Sequence, residues 1–314
     1  MSDNSPLRIG FTGLGHMGGP MAANLVRAGH TVLGFDLVPA ALEQAEADGV
    51  TVVASAAESA TDVDIVVTML PSGRQVLECY TGEGGLLAAA KPGTLFIDSS
   101  TVDVADARAA HEAAAAAGHR SLDAPVSGGV AGAAGGTLTF MVGGSEEAFS
   151  DARAVLDVMG GKVVHCGDAG SGQAAKICNN MILGISMIAV SEAFVLGEEL
   201  GLSHQALFDV ASTASGQCWS LTSYCPVPEL VPASPANRDY QPGFAAALMA
   251  KDLGLAASAA QAGGVAADLG RRAAEVYAAF AEGSGAGKDF SAIIHEVRAG
   301  SADRTGEEKD QSKP

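Results

Sequence analysis

The sequence predicts a doubly wound α/β domain followed by an all-α helical domain. Three observations carry this prediction. Short apolar β-type runs alternate with Ala-rich helical stretches through the first half, the pattern of βαβ units on a parallel sheet. A glycine-rich turn joins the first such run to the first helix. Beyond a second glycine-rich turn, GDAGSG at 167–172, the β pattern vanishes. The boundary is therefore expected near residue 166, between a domain over 1–165 and a helical one over 166–300. The polar, charged tail 301–314 is expected to be disordered.

The elements follow in order. Residues 8–12 read as a strand, 17–28 as a helix, 31–35 as a strand and 39–48 as a helix. DIVVTML at 64–70 is almost continuously apolar, as a strand buried on both faces should be. Further β-type runs lie at 94–98, 137–142 and 162–166. The stretch 173–201 is apolar nearly all round and reads as a long helix buried in a core or an interface. Its Asn179, Asn180, Glu192, Glu198 and Glu199 suit a buried helix better than a membrane span. Helical segments follow at 204–211, 244–262, 269–282 and 290–299, with a loop of five prolines at 226–242.

Composition excludes several function classes. The 314 residues suffice for about two domains, and 48% are hydrophobic, ample for large cores. Eighteen Lys and Arg against 36 Asp and Glu give a net charge of −18, which repels nucleic acid and anionic membranes. An anionic ligand must then be held by local cations or backbone N–H groups. The five cysteines form no CxxC pair and the seven histidines are scattered, which suggests reduced thiols and no metal site. The start, MSDNSPLRIG, has no basic, apolar leader, so a cytoplasmic location is expected.

In IGFTGLGHMGGPMAANL, Gly13, Gly15 and Gly18 form GxGxxG between a strand and a helix. Gly13 permits the tight turn, Gly15 lets a pyrophosphate approach the backbone, and Gly18 allows close helix–strand packing. Asp36 ends the next strand, where a carboxylate accepts hydrogen bonds from both ribose hydroxyls and repels a 2′-phosphate. No Arg stands at 37–40. This Rossmann-type reading favours NAD over NADP. An ordinary glycine turn, and an Asp serving as a turn or cap residue, are the competing readings. Leu70-Pro71 and Ser99-Ser100-Thr101 end later strands, where ligands gather in such sheets; capping of the next helix explains Ser and Thr there equally well.

Two segments offer catalytic groups. DAPVSGGVAGAAGGTL begins at Asp123, and its Ser127, Gly128 and Gly129 present a hydroxyl and two unhindered N–H groups suited to a carboxylate, or form an ordinary glycine loop. GQAAKICNN begins at Gly172 and places Lys176 and Asn180 four apart on one helix face. Ala175, Ile177 and Cys178 give Lys176 an apolar setting, expected to lower its pKa and fit it to exchange a proton with a hydroxyl. Asn180 is placed to hold the substrate or orient the ammonium. A lysine between domains, paired with an acid, is the competing reading.

The fingerprint, the DAPVSGG segment and the GxxxKxxNN segment occur together and in order, and the chain from about Arg8 to Arg298 resembles the β-hydroxyacid dehydrogenase family. The stretch 217–256, Trp- and Pro-rich at its start and ending in LMAKDLGLA, resembles one branch of it. The resemblance implies NAD-dependent hydride transfer in a cleft between the two domains. It implies Lys176 as the catalytic lysine with Asn180 assisting, and Ser127, Gly128 and Gly129 on the substrate carboxylate. It further implies Gly13, Gly15, His16, Met17, Gly18, Asp36, Leu70, Pro71 and Thr101 as NAD contacts. Lys251 would serve both substrate and cofactor, although Lys251 beside Asp252 reads from the residues alone as a helix-surface ion pair. Gln75 stands where some relatives carry a cofactor-contacting Asn and is left out.

Rival readings remain. Sister enzymes acting on tartronate semialdehyde or glyoxylate share the fold and the lysine. Imine reductases of the same fold generally replace the lysine, and a non-catalytic NAD-sensing module would be expected to lose it. The apolar helical half implies a homodimer or homotetramer. A small-molecule hydroxy acid is the expected partner, with no nucleic acid and no membrane.

Overall fold

The computed structural model describes residues 5–301. The chain divides into two compact units between Lys176 and Ile177. The expected disordered tail lies, from residue 302 onward, outside the described residues.

The first unit opens with β1 (Arg8–Thr12), α1 (Gly18–Arg27), β2 (Thr31–Phe35), α2 (Pro39–Ala47), β3 (Thr51–Val52) and α3 (Ala56–Ser59). It continues with β4 (Ile65–Thr68), α4 (Gly73–Thr81), α5 (Leu86–Ala89), β5 (Leu95–Asp98), α6 (Val104–Ala116) and β6 (Arg120–Asp123). Last come β7 (Val126–Ser127), α7 (Gly129–Gly135), β8 (Leu138–Gly143), α8 (Glu146–Met159) and β9 (Gly160–Gly167). The nine strands form one sheet in the order β3-β2-β1-β4-β5-β6-β8-β7, with β9 on β8. β1 to β6 run parallel, with Ile9 facing both Val32 and Ile65 in register. The strand order reverses between β1 and β4, where open α/β sheets bind ligands beyond the strands' carboxyl ends.

Strand side chains alternate between two cores. Ile65, Val67, Leu95 and Ile97 pack under α1 and α8 with Met21, Leu25, Val155 and Leu156. Val66 and Phe96 point the other way, onto Val76 and Tyr80 of α4 and Ala107, Ala110 and Ala114 of α6. This two-sided burial explains the continuous apolar run at 64–70. The sheet is not wholly parallel as expected: β8 pairs antiparallel with β6 and β7. β3, β6 and β7 went unpredicted. Two are only two residues long, and β6 (RSLD) has one apolar side chain among polar ones.

The second unit holds most of α9 (Ser171–Glu199), then α10 (His204–Ala211), α11 (Trp219–Thr222), α12 (Ala246–Ala262) and α13 (Asp268–Glu282). Helical turns over 290–301 close it. α9 is long and apolar enough to cross a bilayer, yet Met187, Val190, Phe194 and Val195 pack into a core with Met249, Leu253, Tyr277, Phe280 and Phe290. The proline-rich segment is ordered by local hydrogen bonds. Ser234 Oγ donates to the Cys225 carbonyl at 2.6 Å and Tyr240 OH to the Pro226 carbonyl at 2.7 Å. Asp289 Oδ2 gathers Tyr224 OH and the N–H groups of Gly243 and Phe244, each at 2.9 Å.

Candidate active site

At the carboxyl ends of β1, β2 and β4 the fingerprint residues converge. Gly13 has φ +95°, and a Cβ there would lie 2.3 Å from the Met69 carbonyl oxygen. A Cβ on Gly18 would lie 1.9 Å from the Gly13 carbonyl oxygen, so only glycine lets α1 start this close to β1. Gly15 is exposed, and a Cβ there would meet nothing within 4 Å. His16 beside it is exposed, and Met17 is half-buried against the first core. Asp36 is clamped by backbone donors: Leu14 N–H reaches Oδ2 at 2.6 Å and Val38 N–H reaches Oδ1 at 2.8 Å. Each oxygen keeps a lone pair for a further donor.

Leu70, Pro71 and Thr101 follow β4 and β5. Leu70 N–H donates to Ser100 Oγ at 2.8 Å, and that hydroxyl donates to Asp98 Oδ1 at 2.6 Å. Thr68 Oγ1 donates to the same oxygen at 2.8 Å. Asp98 thus ties the two strand-end turns together. Burial pushes its carboxyl above the usual range, partly offset by these donors. Its Oδ2 has no hydrogen-bond partner among the described residues, and Asp98 lines a small cavity with Tyr80, His111 and Asp123.

Lys176 lies in the second turn of α9 and is buried. Its Nζ donates to the Val126 carbonyl at 2.8 Å, which sets the amine beside Ser127. Ser127 ends β7. Gly128 (φ +133°) and Gly129 (φ +62°) then turn the chain into α7, so the glycine segment is a strand-to-helix corner. The start of α9 is fixed by Asp123: Oδ1 accepts from Gly170 N–H at 2.8 Å and Oδ2 from Gln173 N–H at 2.9 Å. His111 Nε2 approaches Asp123 Oδ1 at 2.9 Å.

In the second unit Asn180 and Lys251 meet at one carboxylate. Asn180 Nδ2 donates to Asp252 Oδ2 at 2.6 Å, and Lys251 Nζ stands 3.8 Å from Asp252 Oδ1. Asn180 and Asp252 are buried, so the surface-pair reading of Lys251–Asp252 fits only the lysine, whose side chain is one-third exposed. Asn179 Nδ2 donates to Asn180 Oδ1 at 3.0 Å.

Comparison with known proteins adds identity to this geometry. Residues 8–167 match a family model described as the NAD binding domain of 6-phosphogluconate dehydrogenase. Residues 170–297 match one described as "NAD-binding of NADP-dependent 3-hydroxyisobutyrate dehydrogenase". The chain is 58% identical over 270 residues to a Mycobacterium tuberculosis protein named "Probable 3-hydroxyisobutyrate dehydrogenase", spanning 86% of this chain and 91% of that one. The chain belongs to the β-hydroxyacid dehydrogenase family, among the 3-hydroxyisobutyrate dehydrogenases. It is an NAD-dependent oxidoreductase. A solved M. tuberculosis 3-hydroxyisobutyrate dehydrogenase with L-serine matches at TM-score 0.90 and 57% identity, over 94% of this chain and 100% of that chain. A Pseudomonas aeruginosa NAD-dependent L-serine dehydrogenase is 46% identical over 270 residues, 86% of this chain and 91% of that one.

The residues present fit the dinucleotide of this dehydrogenase family. The open space over Gly15 admits a pyrophosphate, and the twice-anchored Asp36 carboxylate suits ribose hydroxyls. Sequence reasoning passed over Gln173, and it named Asp123, Asp252 and Ser100 only in passing. A buried polar residue inside an apolar helix is the signal that points to Gln173, because such a group needs hydrogen-bond partners.

Proposed function

We propose that this dehydrogenase oxidises 3-hydroxyisobutyrate to methylmalonate semialdehyde, a step of valine breakdown, with Lys176 as acid/base. The observation that carries the reading is the buried Lys176 amine, 2.8 Å from the Val126 carbonyl and so next to Ser127. The Ser127 hydroxyl and the backbone of Gly128 and Gly129 take the substrate carboxylate and present the terminal CH2OH. Bound NAD supplies the hydride acceptor. Lys176, as neutral amine, removes the hydroxyl proton as the hydrogen on the carbinol carbon leaves as hydride to NAD, and the C–O bond becomes C=O. In reduction the Lys176 ammonium returns that proton to the developing alkoxide. Asn180 and Lys251, gathered on Asp252, assist in holding the substrate. Orientation contributes up to about 7–11 kcal/mol of barrier lowering, and proton transfer about 10²–10⁴-fold.

Lys176→Ala should lower kcat by about 10²–10⁴-fold with NAD affinity retained; wild-type turnover in that variant ends the assignment. Oxidation should quicken toward alkaline pH, where the amine is the base it must be. A second reading, oxidation of L-serine, is favoured by the L-serine dehydrogenase relative and by the L-serine in the solved relative. Tartronate semialdehyde or glyoxylate reduction is the sister alternative. NADH formation with hydroxyisobutyrate, L-serine and tartronate-type acids in turn ranks them by kcat/KM. We place the enzyme in the cytoplasm, in keeping with the free cysteines among the described residues. Homo-oligomerisation fits the exposed Ile182 and Leu196 on α9 and Leu200 just beyond its end.

A further inference from the structure

We infer that Gln173 is a positioning residue for the hydride step, setting the register of Lys176 against the Thr101 turn. The inference rests on the proposed roles of Lys176 and Thr101. Gln173 is fully buried, and both ends of its side-chain amide are hydrogen-bonded. Its Nε2 donates to the Ser100 carbonyl at 2.7 Å, and its Oε1 accepts from Val102 N–H at 3.1 Å. The side-chain amide therefore clasps the backbone on both sides of Thr101. Its own N–H donates to Asp123 Oδ2, and the other oxygen of that carboxylate, Oδ1, accepts from the N–H of Gly170, the residue before the helix. Lys176 follows three residues later, almost one turn along α9.

The consequence is geometric. The Thr101 turn is also joined to Leu70 through Ser100 Oγ. One amide thus connects the turns proposed to hold the cofactor with the helix that carries the proposed base. The two bonds have fixed polarity. Only a side chain that donates at one end and accepts at the other satisfies a carbonyl and an N–H two residues apart. Loss of the clasp frees the helix start to shift against the turn. A misplacement of about 1 Å in such a constellation costs about 10²-fold in rate.

The test compares Gln173→Met, which keeps length and removes both bonds, with Gln173→Glu, which keeps the acceptor for Val102 N–H. Lys176→Ala is assayed beside them. Readouts are kcat, KM for hydroxy acid and NAD, and the primary deuterium isotope effect on kcat at the transferred hydrogen. We expect kcat of folded Gln173→Met to fall about 10²-fold, KM values to stay within about threefold, and the isotope effect to rise as hydride transfer becomes rate-limiting. Gln173→Glu should fall between this variant and wild type, and it carries the test alone if Gln173→Met does not fold. A folded variant with kcat within about threefold of wild type overturns the proposal, as does a loss of kcat with no rise in the isotope effect. If Lys176→Ala keeps its turnover, the acid/base reading fails first and takes this proposal with it. If Lys176→Ala is inactive while the Gln173 variants are not, only the positioning role fails.

Discussion

Alanine substitutions at two glycines three residues apart, Gly15 and Gly18, should have opposite effects. At Gly18 the new Cβ lies 1.9 Å from a backbone carbonyl oxygen, which has no flexible end to swing away. Overpacking of this kind costs about 1–3 kcal/mol, and a backbone partner argues for the upper end. Alanine's helix propensity returns about 1 kcal/mol, leaving a net loss of about 2 kcal/mol. At about 2–4 °C per kcal/mol for a unit of this size, Tm should drop by about 4–8 °C. At Gly15 the Cβ meets nothing within 4 Å, and φ lies outside the left-handed region. Gly15→Ala should leave the ligand-free Tm unchanged or raised by the unfolded-state entropy term of about 0.4–1 kcal/mol. The same methyl occupies the space proposed for the pyrophosphate, so NAD should bind at least about tenfold more weakly, about 1.4 kcal/mol. At NAD a hundredfold above the wild-type Kd, linkage stabilises wild type by about 2.7 kcal/mol and this variant by about 1.4 kcal/mol or less. Thermal melts with and without NAD, with titration calorimetry, read both quantities. A Gly15→Ala protein that melts low without NAD, or binds NAD as tightly as wild type, refutes the reasoning.

Other substitutions address single groups. Asp36→Ser removes the carboxylate that repels a 2′-phosphate, so kcat/KM for NADP should rise relative to NAD; an unchanged ratio would mean that Asp36 does not face the ribose. Asp98 has its carboxyl pushed up by burial. It therefore contributes stability that is fully present below the unfolded value of about 3.9 and lost as pH rises through the folded value. Asp98→Asn cannot ionise, so the Tm difference, wild type minus variant, should shrink from pH 4 to pH 8, and a pH-independent difference would sink the reading. Asn180→Asp puts a second carboxylate against buried Asp252. It should lower Tm by an amount that Asp252→Asn in the same chain largely restores, and additive losses would show the pair to be uncoupled.

Much of the first unit was legible because its rules are local. The strand–GxGxxG–helix unit and Asp36 depend on backbone geometry within 30 residues, and β1, β2 and α10 match their predicted bounds. What escaped depends on tertiary context. β7 is two residues after Pro125 that pair with Phe140 and Thr139 of β8. No pattern within such a pair announces a strand, or the reversed direction of β8. β6 sits inside the sheet between β5 and β8, yet Arg120 and Ser121 on it are only half-buried, and Arg120 pairs outward with Glu147 and Asp151. Its polar half hides it from an apolar pattern.

Polar residues on α9 separate by the length of chain their hydrogen bonds span. Ser191 is buried, but its hydroxyl returns to the Met187 carbonyl one turn back at 2.8 Å, a bond any helix offers. Gln173, Lys176 and Asn180 are equally buried and bond to groups 71–73, 50 and 72 residues away. A helix can bury a serine at little cost by such a back-bond. It can bury an amide or an ammonium only if the rest of the fold supplies a partner in place. The sequence thus marks Gln173, Lys176 and Asn180 as residues in need of partners without naming them. Three of those partners are main-chain groups, at Val126, Ser100 and Val102, which have no residue identity to detect. Side-chain chemistry locates the candidate site along the chain, and backbone placement from distant strands gives it its geometry.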